Sequence, residues 1–202
     1  MELHFESYGA GPALVVLHGL FGSAENSRSL NKHGFARELS VYAPDQRNHG
    51  HSPHSDVFNF EVMTEDLIKF FGDHALESTF LLGHSMGGKV AIHTALTHPD
   101  CVDRLIIVDI APRAYPPRHQ TIFDALRGIN LADARSRKDL DQALATKVPE
   151  KMVRQFLLKN VERCENNSFR WRINLKAIAA NYESSTEPAL GDLVFDKPTL
   201  FI

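Results

Sequence analysis

The chain is poor in several things, and each shortage removes a class of explanation. Only two of its 202 residues are cysteine, Cys101 and Cys164, and they stand far apart. They allow neither a disulfide framework nor a zinc-type cysteine spacing, and a reducing compartment is expected. No apolar run approaches the ~18 residues that a membrane-spanning helix needs. The opening residues, Met1-Glu2-Leu3-His4-Phe5-Glu6, are partly acidic and lack the apolar segment of a signal peptide. A cytoplasmic location is the expectation. The net charge of -3 gives no electrostatic reason to expect a nucleic-acid partner or an anionic membrane.

What the chain does have is enough apolar residues for a real core, 43% of the total, and a length that suits one domain with an inserted subdomain. Its most informative stretch is Gly83-His84-Ser85-Met86-Gly87-Gly88. An apolar run, Thr79-Phe80-Leu81-Leu82, precedes it, and a helical pattern from Lys89 to His98 follows. G-x-S-x-G between strand and helix is the pattern of a nucleophile elbow. The chain must reverse sharply at Ser85 so that the hydroxyl stands clear at the end of a sheet. Gly83 and Gly87 remove side chains that would obstruct the turn, and Gly88 lets the helix approach the strand. The first N–H groups of that helix have no intrahelical partner and face the place where an anion would form.

Upstream, Leu3–Tyr8 reads as a short strand, and Ala13-Leu14-Val15-Val16-Leu17 as a strand buried on both faces of a parallel sheet. The second run ends in His18-Gly19-Leu20-Phe21-Gly22-Ser23, a glycine-bearing loop at a strand's C-terminal end. In an acyl-transfer enzyme such a loop supplies one oxyanion donor, and the residue after the nucleophile supplies the other. These are the N–H groups of Leu20, with Phe21 as the alternative, and of Met86. The strand Leu39–Ala43 leads into Pro44-Asp45-Gln46-Arg47-Asn48-His49-Gly50-His51-Ser52. Here Asp45, Arg47 and Asn48 are expected to brace the loop through hydrogen bonds to backbone. His49, His51 and His54 lack a carboxylate pattern for a metal, and no metal is expected.

Met63, Leu67, Phe70 and Phe71 fall on one face of a helix from Phe60 to Phe71. The run Arg104–Ile110 is a further buried strand with Asp109 near its C-terminal end. Strands alternating with helices predict a parallel α/β sheet whose sites lie at the C-terminal strand ends, where Leu20, Ser85 and Asp109 all fall. From Arg113 to about Asp192 four helical patterns follow without a strand. They are marked by Ile122/Phe123/Leu126, Leu140/Leu144/Val148, Met152/Phe156/Leu157/Val161 and Trp171/Leu175/Ile178/Ala179. Ser136 is a candidate N-cap of the second, with Asp139 at its third position. Such a block would lie over the site and exclude water. The expected organisation is a core over 1–112, a helical cap over 113–192, and the start of another core strand over 193–202.

Together, His18-Gly19-Leu20-Phe21-Gly22-Ser23, Asp45-x-Arg47-Asn48-His49-Gly50, the elbow with Lys89, and Asp109-Ile110-Ala111-Pro112 resemble the α/β-hydrolases, and within them the YbfF-type bacterial esterases. The resemblance runs from about Ala13 to Ile202. It implies hydrolysis of carboxylic esters or acyl thioesters with short to medium acyl chains, without a cofactor. It implies Ser85 as nucleophile and Asp109 as the acid; many relatives carry that acid after the next strand instead. It also implies a catalytic histidine in a loop after a further strand, so the base is expected beyond Ile202. A chain ending there would be almost inactive and would expose a sheet edge, so it is expected to be incomplete.

No histidine within the chain is assigned that role. His84 is expected to point away from the hydroxyl, His18 belongs to the oxyanion loop, and His93 and His98 lie on the elbow helix. His119 stays as a distant candidate. A non-catalytic binding homologue is the alternative reading. Arg113 and Arg118 are weighed as contacts for a phosphate-bearing thioester, against a role as solvated loop charges.

Overall fold

Apolar residues alternate between two environments along the central strands, and this puts the sheet in the middle of the molecule. A computed structural model describes residues 1–117, 119–182 and 191–202. In β2 (Ala13–Leu17), Val15 and Leu17 point into a large cluster, while Leu14 and Val16 join Val41 on the opposite face. Both faces of the strand are therefore dry. Each such side chain contributes about 1.5–3 kcal/mol of burial.

The six-stranded sheet has the order β1-β3-β2-β4-β5-β8. Its members are β1 (Phe5–Tyr8), β2, β3 (Ser40–Pro44), β4 (Thr79–His84), β5 (Val102–Val108) and β8 (Thr199–Phe201). Every pairing is parallel except β1 with β3. This is the α/β-hydrolase fold with a mostly parallel sheet. The register aligns the strand ends that matter: Leu17 faces Gly83, Gly83 faces Ile107, and Ile107 faces Phe201.

Helices α1 (Ala24–His33), α2 (Phe60–Asp73) and α3 (Met86–Thr97) accompany the sheet. Helix α2 starts at Asn59, whose side chain accepts the Val62 N–H, and it buries Met63, Leu67, Phe70 and Phe71 as its periodicity predicts. Helix α3 is buried almost all round because it lies between α2 and the strands β4 and β5.

Between β5 and β8 lie α4 (Gln120–Arg127), α5 (Arg137–Ala145), α6 (Lys151–Leu158) and α7 (Leu175–Ala180). Ser136 caps α5 with Asp139 completing a capping box, as expected. The expectation of a strand-free block is corrected. Strands β6 (Val161–Arg163) and β7 (Phe169–Trp171) form an antiparallel hairpin between α6 and α7. Val161 and Trp171 sit at helical spacing from Leu157 and Leu175, which draws them into the flanking helical patterns. Three-residue strands are too short to display alternation of their own. The reversal is made by Asn167, in the left-handed region at φ 64°, with the Cys164 N–H bonded to the Ser168 carbonyl at 2.8 Å.

Candidate active site

Four chain segments converge at the C-terminal ends of β2, β4 and β5. The sharpest is the β4–α3 junction. Ser85 has φ 51° and ψ -115°, a conformation that costs about 1–3 kcal/mol and needs its surroundings to hold it. The Ser85 N–H bonds to the Val108 carbonyl at 3.0 Å, and its carbonyl accepts from the Lys89 N–H at 3.1 Å. A Cβ on Gly83 would lie 2.3 Å from the Gly87 carbonyl oxygen. One on Gly87 would lie 2.5 Å from that of His18. Both glycines are thus required by backbone, not by flexible side chains. Gly88 makes room for the Ile110 methyl group and for Gly83.

The loop after β2 closes as a turn, with the Gly22 N–H bonded to the Gly19 carbonyl at 2.9 Å. Phe21, at its third position, takes φ 60°. Phe21 is the alternative donor named above. The Phe21 N–H donates to His49 Nε2 at 3.3 Å and the residue is buried. The Leu20 and Met86 amides have no acceptor among the described residues. Leu20 and Met86 line the same cleft as Ser85 and Asp109, with a volume of about 310 Å³. All four residues singled out by the sequence are therefore brought together.

Asp109 also has a left-handed backbone, φ 56°, and its N–H bonds to the Ile202 carbonyl. Its carboxylate is exposed, 3.9 Å from His84 Nε2. His84 itself is half exposed and is not among the cleft-lining residues.

The loop from Asp45 to Ser52 is braced as its polar residues predict. The Asp45 carboxylate accepts from the N–H groups of Ala24 and His51, at 2.7 and 2.9 Å. Arg47 pairs with buried Asp66 and donates to the Val57 carbonyl. Asn48 Oδ1 accepts the Ser55 N–H at 2.8 Å. His49, His51 and His54 are engaged separately, with His49 on Phe21, His51 against the His4 ring and His54 on the Arg172 carbonyl.

The remaining wall of the cleft comes from Tyr115, His119 and Tyr182, with Lys89 reaching in from α3. Lys89 Nζ donates to the Arg113 carbonyl and lies 5.3 Å from the centre of the Tyr115 ring. Burial, helped by the Arg113 charge, lowers its pKa to about 8. The Arg113 guanidinium stacks on Tyr115 at 4.9 Å. Arg118 lies outside the described residues. His119 Nδ1 is hydrogen-bonded to the Tyr182 hydroxyl, and burial lowers its pKa. Lys89, Tyr115 and Tyr182 were not legible as site residues. A lysine among the apolar residues of a buried helix is the one signal the sequence offered.

A family model for the alpha/beta hydrolase fold matches residues 12–183. The chain belongs to that family. Among curated α/β-hydrolase relatives, it is similar to the zebrafish (Danio rerio) sn-1-specific diacylglycerol lipase ABHD11. The two are 39% identical over 206 residues, covering 98% of this chain and 64% of the relative. It is also similar to esterase YbfF of Escherichia coli K12, at 32% identity over 94% of this chain and 72% of that protein. A solved structure described as a marine microorganism esterase superposes with a TM-score of 0.96. It is 40% identical, over 99% of this chain and 79% of the other. The chain spans about two thirds of the length of several curated relatives it matches.

Proposed function

We propose that the protein is a serine hydrolase of carboxylic esters or acyl thioesters with short to medium acyl chains. The reading rests above all on one observation. Ser85 is held in a strained turn inside the same cleft as Leu20 and Met86, whose amides have no acceptor among the described residues, and a strand-end carboxylate, Asp109. Relatives named esterases and a lipase support it. In this reading residues 113–192 form a cap on a core built from 1–112 and 193–202.

Ser85 Oγ attacks the acyl carbonyl as a histidine accepts its proton. The Leu20 and Met86 N–H groups take up the charge on the carbonyl oxygen. The alcohol or thiol leaves with the proton returned to it, and water then releases the acid from Ser85 by the same sequence. Asp109 orients the imidazole. Triad order, serine then acid then histidine, places the base after Asp109. His119 is the single histidine after Asp109 in this sequence, and its Nδ1 is already bonded to Tyr182. We therefore assign the base to no residue of this chain.

Steady-state hydrolysis of p-nitrophenyl butyrate and butyryl-coenzyme A by the full-length protein tests the proposal. Ser85→Ala is expected to lower kcat by ~10⁶-fold. Turnover that persists in Ser85→Ala, or wild-type protein inert toward both substrates, would overturn it. Arg113→Ala separates the two leaving groups: a selective loss on the thioester would favour a phosphate contact, and equal activity would remove it.

A further inference from the structure

Phe21 occupies the third position of the Gly19–Gly22 turn with φ 60°, in the left-handed region that a non-glycine residue adopts only at a cost. Such a conformation persists when its surroundings over-determine it. Both peptide groups of Phe21 are held from elsewhere in the chain. Its N–H donates to His49 Nε2 at 3.3 Å. Its carbonyl accepts from Asn160 Nδ2 at 2.8 Å. The two clamps come from segments far apart in the sequence. His49 belongs to the loop after β3, and Asn160 lies between α6 and β6 in the inserted segment.

Each clamp is itself fixed. His49 is fully buried, its Nδ1 bonded to the Arg47 carbonyl at 3.0 Å. Only the tautomer with the proton on Nδ1 leaves Nε2 free to accept from Phe21, and the Arg47 carbonyl selects that tautomer. Asn160 is buried, its Nδ2 also donating to the Leu157 carbonyl at 3.2 Å, and its own carbonyl accepting the Arg172 N–H at 2.7 Å. Neither side chain lines the cleft. Both are buried, so an effect of either on catalysis is expected to pass through Phe21.

We infer that His49 and Asn160 are positioning residues that hold the strained Phe21 peptides and thereby aim the adjacent Leu20 N–H at the developing oxyanion. The inference rests on the proposed role of Leu20. It adds that the inserted segment, through Asn160, takes part in building the oxyanion site as well as covering it. An amide that rotates away from the oxygen stabilises the transition state less while leaving ground-state binding nearly intact.

The test compares Asn160→Ala, Asn160→Asp, His49→Leu and His49→Gln in the full-length protein, with wild type and Ser85→Ala as controls. Thermal melts identify the variants that fold. Asn160→Ala, Asn160→Asp and His49→Leu are expected to lower kcat by about 10–100-fold with KM changed less than about twofold, because a full donor is worth about 10²–10³. Affinity for a trifluoromethyl ketone should fall in step with kcat/KM. Asn160→Asp, the same size as the native residue, sets an oxygen against the Phe21 carbonyl. His49→Gln keeps an acceptor within reach of the Phe21 N–H and should retain most of kcat. Folded variants with wild-type kcat and ketone affinity would overturn the inference while leaving the serine mechanism standing. So would equal loss in His49→Gln and His49→Leu. Undiminished activity in Ser85→Ala would bring down both.

Discussion

His18 and His49 sit side by side next to the Gly19–Gly22 turn, ring centroids 5.1 Å apart, both buried. His18 Nε2 accepts the Gln46 N–H at 3.0 Å while its Nδ1 faces the Gly19 carbonyl. Burial lowers both pKa values, and that of His49 falls from 6.5 to about 3, with the neighbouring His18 adding to the effect. Between those limits the unfolded chain binds the proton and the folded chain does not. Stability conferred by neutral His49 is therefore complete above about pH 6.5 and declines as pH falls toward 3, by up to about 1.4 kcal/mol per pH unit. Urea denaturation at pH 7.5, 6.0 and 4.5 should show this fall, with a shallower dependence in His49→Gln. Parallel dependences would mean that His49 does not carry it. The sharp G-x-S-x-G turn at Ser85 was legible from local pattern, whereas Asp109 entered as the expected acid through the family resemblance. The bond that engages the Phe21 N–H was not legible, since its acceptor lies 28 residues away in the sequence.

At the scale of the element, the β4–α3 elbow is determined by glycines that the sequence displays openly. Gly87→Ala would drive a methyl group into the His18 and Leu17 carbonyls, at 2.5 and 2.6 Å, where only backbone can yield. We expect a loss on the order of 3 kcal/mol, in the range of overpacked cores and strained backbone, read as a lower urea midpoint than wild type. A midpoint within error of wild type would contradict the packing described for the elbow. Helix α2 was readable from its period, and β2 and β5 from their apolar runs, because burial on one face or on both imposes these patterns. Helix α1 escaped notice because it is largely polar and buries only Ala24 and Asn31. The β6–β7 hairpin escaped because its strands are short and lie between helical patterns.

At the scale of the whole molecule, the inserted segment is tied to the core by bonds between distant parts of the chain. The Asn174 N–H and side chain reach Asn48 at 2.9 and 3.2 Å, Asn181 donates to the Asp56 carbonyl, and Arg172 pairs with Glu25. None of these contacts follows from local pattern, because each joins residues over a hundred positions apart. On the other flank, β8 is the outer strand of the sheet among the described residues, and Leu200, Phe201 and Ile202 are each more than half exposed. An unpaired apolar edge favours strand-to-strand association. The 202-residue chain by itself should therefore self-associate with rising concentration in sedimentation velocity, and Leu200→Lys should suppress this. A monomer at all concentrations would show that the edge is protected.

The claim on which the rest depends is that Ser85 is an activated nucleophile. Intact-mass analysis after a fluorophosphonate probe, followed by peptide mapping, tests it most directly in the full-length protein. The account predicts one adduct, on the peptide that carries Ser85, and none in Ser85→Ala. No adduct on the wild-type protein, or an adduct on another residue, would contradict it.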